Sequence, residues 1–176
     1  IDSKGNLWIG TRHGGITRYE PKQEKWTTYK YLSEDPNSLG NNDVLCLMED
    51  RKGRVWIGTE KGVSIYREET DDFVRFRHDS KDTTSLSANA ILSITEDREG
   101  RIWLGSWAGG MNLFVPHKEE WSKSTFKRIP LINKDGNQEA VWKVFQDSQD
   151  RFWVCSHFSG LYLMQLPSNK EEDPEA

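Results

Sequence analysis

Short apolar segments separated by glycine-rich polar turns run along the whole chain, whereas helical periodicity is weak. The segment LWIGT at residues 7–11 is typical, because it is apolar, five residues long, and accompanied by glycines. Runs of this length and composition are characteristic of buried β-strands. The pattern therefore predicts an all-β protein whose strands are joined by tight turns.

The same local sequence occurs four times along the chain. Tryptophan marks each copy, and the intervals of 48, 47 and 50 residues separate Trp8, Trp56, Trp103 and Trp153. An aspartate lies six residues before each tryptophan, at Asp2, Asp50, Asp97 and Asp147. Three residues before each tryptophan lies a glycine in three copies and an aspartate in the fourth, at Gly5, Gly53, Gly100 and Asp150. Such a repeat decides the fold and is interpreted before any single strand.

Each D-x-x-G step predicts a tight turn, in which the aspartate carboxylate bonds backbone amides and glycine supplies a positive φ angle. Asp150 fits the same turn, because aspartate tolerates the left-handed region better than most residues. We therefore interpret these aspartates and glycines as structural turn residues. The four repeat tryptophans are predicted to be structural core residues.

Each unit contains up to four predicted strands, labelled a to d from the inside outward. Strand b is the tryptophan segment, and strands c follow the next glycine, at 16–19, 63–66, 111–114 and 161–164. Strands d are predicted at 26–31, 73–77 and 126–129, and strands a at 44–49, 91–96 and 141–146. The chain thus contains the series bcd, abcd, abcd and abc, which makes fourteen strands.

Four strands in a unit of about 40 to 50 residues are typical of a β-propeller blade. A β-sandwich would also show short, regularly spaced strands, but it would not repeat one turn and one tryptophan four times. We therefore predict a β-propeller segment of about 3.5 four-stranded blades that forms an incomplete ring. The repeats span residues 1–166, and residues 167–176 are predicted to be an acidic disordered tail or linker.

Composition and charge exclude other classes of protein. No run of about 18 apolar residues is present, so the sequence predicts neither a membrane-spanning helix nor a signal peptide. The 24 basic and 28 acidic residues are interspersed and give a net charge of −4. This balance argues against a nucleic-acid partner and against direct membrane contact by the segment. The two cysteines, Cys46 and Cys155, have no metal-ligand spacing.

Two longer stretches resemble a known family. Residues 42–63, NDVLCLMEDRKGRVWIGTEKGV, and residues 89–106, NAILSITEDREGRIWLGS, are similar to the two-component regulator propeller repeat. The loops at 35–42 and 82–89 share the D-x-x-S-L-x-x-N pattern of these repeats. The fourth unit departs from the family, since Asp150 and Cys155 replace glycines and residues 133–139 lack the S-L-x-x-N loop.

This resemblance implies the sensor region of a bacterial hybrid two-component protein, which commonly contains two seven-bladed propellers. A linking β domain, a membrane helix, a histidine kinase and a response regulator usually follow. By the same resemblance, the chain is expected to be periplasmic, as part of an inner-membrane protein, and to respond to a glycan or its breakdown product. The implied partners are an oligosaccharide, the remaining blades and downstream signalling domains of the parent, and a second copy of the parent in a homodimer.

The repeat also indicates where a ligand would bind. The b-to-c and d-to-a loops emerge on one face of a blade, opposite the D-x-x-G turns, and their residues vary between copies. Variable polar and aromatic loop residues on a constant scaffold are typical of a binding surface. The predicted ligand-binding residues are Arg12, His13, Glu60, Lys61, Trp107, His157 and Phe158. Trp107 and Phe158 are suited to stacking on a sugar ring, whereas Trp142, on an inner strand, is expected in the core.

Known catalytic motifs are absent from the sequence. There is no HExxH, G-x-S-x-G or Walker loop, and the four histidines are dispersed. We therefore expect no enzyme activity, no metal and no cofactor in this segment. Two alternatives to a ligand sensor stay open: a protein-interaction or dimerisation module, and, with less support, a fragment of a propeller lyase or glycosidase.

Overall fold

The computed structural model describes residues 1–164, which form fourteen β-strands and one short 3₁₀ helix, Trp121–Lys123. The strands are β1 (Leu7–Thr11), β2 (Gly15–Glu20), β3 (Lys25–Tyr29), β4 (Val44–Glu49), β5 (Val55–Thr59), β6 (Gly62–Arg67), β7 (Asp72–Phe76), β8 (Ile91–Glu96), β9 (Ile102–Ser106), β10 (Met111–Val115), β11 (Thr125–Ile129), β12 (Val141–Gln146), β13 (Phe152–Ser156) and β14 (Leu161–Met164). The predicted tail, residues 167–176, lies outside the described residues.

The strands form four antiparallel sheets in chain order. The first sheet contains β1–β3, the second β4–β7, the third β8–β11 and the fourth β12–β14. Within each sheet, consecutive strands pair with each other. The prediction of an all-β protein with the strand series bcd, abcd, abcd and abc is therefore confirmed, and the four sheets are those of an incomplete propeller.

The turn before each tryptophan strand is held by the aspartate side chain. In the second sheet, the Asp50 carboxylate accepts hydrogen bonds from the Lys52 and Arg54 amides at 3.0 Å and from the Trp56 indole at 2.8 Å. The indole bond recurs in every copy, at 2.8–2.9 Å, and joins Asp2 to Trp8, Asp50 to Trp56, Asp97 to Trp103 and Asp147 to Trp153. The six-residue spacing between Asp and Trp thus allows one carboxylate to hold the turn and to accept the indole hydrogen bond.

The hydrophobic core consists of layers between neighbouring sheets. One layer contains Ile16 of the first sheet with Ile57 of the second, and another contains Trp56 of the second sheet with Leu104 of the third. A third layer joins Trp103 to Val141, Val144, Phe152 and Val154 of the fourth sheet. Trp56 and Trp103 are buried, whereas Trp8 and Trp153 are only partly buried, because each lies in a three-stranded sheet at one end of the stack.

Close approach of the sheets explains the glycine that follows the tryptophan segment. A β-carbon at Gly58 would lie 2.9 Å from the Ile91 carbonyl oxygen of the next sheet, and one at Gly105 would lie 2.6 Å from that of Val141. Real side chains do not tolerate such contacts with backbone atoms. The fourth sheet has Cys155 at this position, and among the described residues no further sheet packs against it.

A second contact between sheets also recurs. The last residue of each inner strand accepts a hydrogen bond from a turn amide of the preceding sheet: Glu49 from Ser3, Glu96 from Arg51, and Gln146 from Arg98, all at 2.8 Å. Each inner strand is therefore fixed to the turn of the sheet before it. Among residues 1–164, no helix has the length and apolar character needed to cross a membrane.

Candidate ligand-binding site

Two sets of loops meet on one face of the stack, which we call the loop face. The first residue after strand b donates its backbone amide to the loop that precedes strand a. Glu60 donates to the Asp43 carbonyl at 3.1 Å, Trp107 to Ala90 at 2.9 Å, and His157 to Ala140 at 2.9 Å. These bonds place the first side chain of each short loop at an equivalent position in three successive sheets.

The predicted residues of the first two sheets lie on the loop face but in separate loops. Arg12 and His13 follow β1, and Glu60 and Lys61 follow β5; all four are exposed. The His13 amide donates to the Asp43 carboxylate at 2.9 Å, and its ring Nδ1 lies 2.8 Å from the same oxygen. His13 therefore contacts the loop that leads into the second sheet.

Four aromatic side chains come together between the third and fourth sheets. This aromatic cluster consists of Trp107, Trp142, His157 and Phe158. The Trp107 ring centroid lies 5.9 Å from that of Trp142 and 5.1 Å from that of His157, and His157 lies 4.5 Å from Phe158. Trp107, Trp142 and Phe158 are 42%, 47% and 65% exposed. The cluster is therefore an open aromatic platform on the loop face.

The expectation that Trp142 lies in the core is wrong, because Trp142 is half-exposed and part of the aromatic cluster. The register of β12 against β13 shifts between Val141 and Lys143, so that Trp142 is the extra residue of a β-bulge. A bulge re-aims the side chain of its extra residue. Val141 and Val144 remain buried on the core side while Trp142 turns out to the loop face.

Trp142 and His157 are joined by a hydrogen bond as well as by ring contact. The indole Nε1 of Trp142 lies 2.9 Å from Nδ1 of His157, and their ring centroids are 5.8 Å apart. The bond connects an inner strand to the loop after strand b within one sheet. It fixes the orientation of both rings relative to the sheet.

A buried carboxylate lies beneath the cluster and holds its loop. Glu139 is fully buried and accepts hydrogen bonds from the Phe158 amide, at 3.2 Å, and from the Ser159 hydroxyl. The Ser159 bond is the main cause that holds the pKa of Glu139 below its ordinary value, against the opposing effect of burial. Glu139 is thus an ionised anchor of the loop that carries His157 and Phe158.

Sequence reasoning missed Trp142 and Glu139. The bulge that exposes Trp142 also occurs in the second and third sheets, where the extra residues are Leu45 and Leu92. Tryptophan at a position that is leucine in the other copies is the signal that was available. For Glu139, the signal is the loss of the S-L-x-x-N pattern at 133–139.

A second polar cluster lies between the first and second sheets and has a structural explanation. Arg18 is 8% exposed and lies 5.3–5.7 Å from the ring centroids of Trp8, Tyr29 and Tyr66. Both tyrosine hydroxyls donate to Asp71 at 2.6 Å. Burial, the largest effect, together with Asp71 raises the pKa of Tyr66 to about 12. The cluster connects the first and second sheets around a buried guanidinium.

The carboxylates of the four turns are engaged in structure, because each accepts an indole hydrogen bond. Within residues 1–164, no group of three or more His, Cys, Asp or Glu side chains is arranged to hold a metal ion. The aromatic cluster is therefore the arrangement on the loop face that is best suited to contact a ligand.

The fold and its repeats define the class of protein: a β-propeller segment built from successive blades. A family model described as the two-component regulator propeller matches residues 38–61 and 85–108. These segments cover the S-L-x-x-N part of the two loops, the inner strands and the tryptophan strands of the second and third sheets. These two segments of the chain are therefore similar to the two-component regulator propeller repeat.

Solved structures share this fold. Two extracellular domains of putative hybrid two-component systems from Bacteroides thetaiotaomicron align over 93% of the chain, one with a TM-score of 0.73 at 21% identity and one with 0.59 at 17%. PorZ, a surface component of the type-IX secretion system of Porphyromonas gingivalis, aligns with a TM-score of 0.63 at 21% identity, also over 93%. The chain covers 23%, 26% and 25% of these three structures.

A curated relative is similar over a shorter stretch. Histidine kinase P4 of Formosa agariphila is 36% identical over 59 residues. That match covers 34% of the chain and 4% of the relative. The chain thus spans a small part of the relatives it matches.

Proposed function

We propose that the chain is a non-enzymatic, ligand-sensing propeller segment of a two-component signalling protein, and that its aromatic cluster binds a glycan or a breakdown product of one. The observation that carries this proposal is the exposed set of Trp107, Trp142 and Phe158. Large exposed apolar rings that pack on one another, rather than in the core, mark a binding surface. Their flat faces suit the apolar face of a sugar ring.

The propeller repeats support the signalling part of the proposal. Relatives with this fold include extracellular domains of putative hybrid two-component systems, and a histidine kinase shares sequence with the chain. On this basis we propose an extracytoplasmic location within a membrane-anchored parent. The parent would supply the remaining blades, in a ring of seven, and the downstream signalling domains, and it would act as a homodimer.

Calorimetric titration of the chain with a panel of oligosaccharides tests the binding proposal. We expect binding in the micromolar to millimolar range, and a loss of at least tenfold in affinity for Trp107→Ala, because this change removes one wall of the platform. Trp26→Ala is the matched control, since Trp26 is 60% exposed but lies on β3, where it stacks on Tyr19. Unchanged affinity in Trp107→Ala, or no binding across a broad panel, contradicts the proposal.

A second candidate function, protein interaction, is favoured by a specific observation. The outer face of the fourth sheet exposes Phe145, Leu161 and Leu163, at 53%, 59% and 53%. In the preceding sheets the equivalent face is covered by the next sheet. Light scattering and cross-linking test this alternative: concentration-dependent association that is abolished by Leu161→Lys and Leu163→Lys supports it, and a monomer at all concentrations excludes self-association.

A further inference from the structure

A groove that is rich in arginine lies along β7, the outer strand of the second sheet. Its volume is about 400 Å³, which is within the range of small-molecule sites. The charged residues of its described lining are Arg67, Arg75 and Arg77, and none of the described lining residues is a carboxylate. Arg67 is neutralised by Asp72, whose two oxygens it binds at 2.6 and 2.7 Å. The groove therefore has an excess of positive charge from Arg75 and Arg77.

These two arginines use few of their hydrogen-bond donors within the fold. Arg75 donates one long hydrogen bond, of 3.4 Å, to the Ser38 hydroxyl, and Arg77 donates to the Gly40 carbonyl at 2.8 Å. Within residues 1–164, neither of them forms an ion pair with a carboxylate. Since a guanidinium has five N–H donors, most of the donors of Arg75 and Arg77 are available to a ligand.

The two guanidinium groups lie close to each other. Their central carbons are 5.9 and 5.6 Å from the ring centroid of Tyr31, for Arg75 and Arg77 respectively. Residues two places apart in an extended strand are separated by about 7 Å and extend to the same side. Burial and, after it, the charge of Arg77 lower the pKa of Arg75, while Asp35 opposes this effect from beyond ion-pair distance. Two like charges are thus held together, and an anion between them would relieve their repulsion.

The third sheet shows that the fold does not require this pair. Arg128 corresponds to Arg75, because each follows by two residues a phenylalanine whose amide donates to the preceding loop, Phe126 to Thr84 and Phe73 to Asn37. The Arg128 guanidinium donates to three carbonyls of its loop, those of Asp79, Asp82 and Ser85. Arg75 makes no such carbonyl bond among the described residues, and the residue that corresponds to Arg77 is Pro130. The second sheet therefore has one arginine freed from its structural role and a second one beside it.

We propose that Arg75 and Arg77 bind a tetrahedral oxyanion, that is, a sulfate or phosphate group, either as the free ion or as an ester of a small solute such as a sugar. Guanidinium groups bind such anions through charge-assisted N–H···O bonds in a fixed fork geometry. The oxygens of a tetrahedral group point in several directions, so two guanidiniums can bind the same group. The two oxygens of a carboxylate lie in one plane and are matched by a single guanidinium.

This arginine site is separate from the aromatic cluster. The arginine site lies on the outer strand of the second sheet, whereas the cluster lies between the third and fourth sheets. The arginine site therefore does not depend on the proposed function, and the two can be tested independently.

Calorimetric titration of the chain at constant ionic strength tests the proposal. The ligands are inorganic sulfate and phosphate and the sulfate and phosphate esters of glucose, with glucose as the neutral reference and acetate as the carboxylate reference. We expect at least one ligand with a sulfate or phosphate group to bind at least tenfold more tightly than both references, because it forms charge-assisted bonds with two guanidiniums. Its affinity should decrease as salt is added, since the groove is open to solvent and its charges are screened.

Arginine variants show whether this pair is the site. Arg75→Gln and Arg77→Gln should each weaken oxyanion binding at least tenfold and leave the affinity for glucose unchanged. Arg75→Lys keeps the charge but loses the fork of N–H donors, so we expect an intermediate affinity. Arg51→Gln is the matched control, since Arg51 is an exposed arginine in the D-x-x-G turn of the same sheet, and it should bind oxyanions like the wild type. Urea denaturation checks that each variant is folded.

The outcomes also identify the source of the anion. Tighter binding of an ester than of the free ion assigns the site to an esterified sugar, and the opposite order assigns it to an inorganic anion; both support the proposal. Acetate that binds as tightly as sulfate and phosphate overturns the assignment of a tetrahedral group. Equal losses in Arg75→Gln and Arg51→Gln, or no saturable binding of any oxyanion, overturn the proposal as a whole. If a neutral glycan still binds through Trp107 in that case, the proposed function stands and the arginine site alone is excluded.

Discussion

Replacing Asp50 by alanine should lower the stability of the fold more than the same substitution at an exposed aspartate. The Asp50 carboxylate is fully buried and accepts four hydrogen bonds: from two turn amides, from Nε of Arg54 at 2.5 Å and from the Trp56 indole at 2.8 Å. Trp56 itself is fully buried. Alanine therefore leaves an indole N–H without a partner in the core.

The magnitude follows from where each donor lies. The stranded indole N–H costs about 1–3 kcal/mol, because water does not reach it. Arg54, at 25% side-chain exposure, turns towards water, so the loss of its ion pair adds about 1 kcal/mol at most. The two turn amides lie near the surface and find water partners. The expected decrease in the free energy of unfolding is therefore about 1–4 kcal/mol.

Urea denaturation followed by circular dichroism measures the change. Asp147→Ala is the matched control, because Asp147 makes the same contacts to Arg151 and Trp153, but Arg151 is 49% exposed and Trp153 only partly buried. We expect a smaller effect there, since water replaces the lost acceptor. Equal shifts in the two variants, or a loss below about 0.5 kcal/mol for Asp50→Ala, would refute the reasoning.

A double-mutant cycle isolates the indole bond. Trp56→Phe removes the same hydrogen bond from the other side and also reduces the volume of the buried ring. If the bond carries most of the cost, Asp50→Ala should be about 1–2 kcal/mol less harmful in the Trp56→Phe background than in the wild type. Strict additivity would show that the turn, and not the indole, accounts for the loss.

Three further predictions concern packing, thiol access and pH. Gly105→Ala should lower the urea midpoint, because its β-carbon would lie 2.6 Å from the Val141 carbonyl oxygen. Cys155→Gly, at the equivalent position of the fourth sheet, should change the midpoint little. Equal shifts of the midpoint in the two variants would contradict this explanation of the glycine. Iodoacetamide at about pH 8 should modify Cys155 and spare Cys46, whose pKa burial raises to about 12; peptide mass spectrometry checks this, and equal labelling is the contrary result. Burial tends to raise the pKa of Asp97, but hydrogen bonds from Trp103 and Arg101 outweigh this effect and hold the pKa below its ordinary value of 3.8. Its stabilisation is therefore complete above that value and lost as pH falls below it, and urea midpoints measured from about pH 6 to about pH 2 should fall less steeply in Asp97→Asn than in the wild type.

The fold was predictable because every copy of the repeat must meet the same physical requirements. Each copy must bond an indole to an aspartate, close a turn with a residue of positive φ, and leave room for the next sheet. In the second copy the bond between Asp50 and Trp56 meets the first demand, Gly53 with a φ of 78° the second and Gly58 the third, and equivalent residues recur at the same spacing in most copies. Strand order and register follow from such local requirements, so a single sequence sufficed to place fourteen strands.

The candidate site was only partly predictable, because a bulge breaks the alternation on which side-chain direction depends. Alternation along β12 places Trp142 in the core, yet the register shift turns it outward. The same shift in β4 and β8 involves leucines, which give no sign of exposure in the sequence. Which loop residues meet across two sheets, as Trp107 and His157 do, depends on packing that no local pattern contains.

The departures from the repeat are concentrated in the fourth sheet and the loop before it, and they share a physical cause. Gly58 and Gly105 are required because the next sheet packs directly on them; Cys155 stands at the same position, so a sheet placed there at the same distance would collide with its side chain. Lys143 likewise replaces a small residue that the next sheet covers in the second and third units. We therefore expect a sheet that packs on the fourth to lie farther from it than the third lies from the second, because Cys155 and Lys143 occupy space that small residues leave open in the second and third sheets.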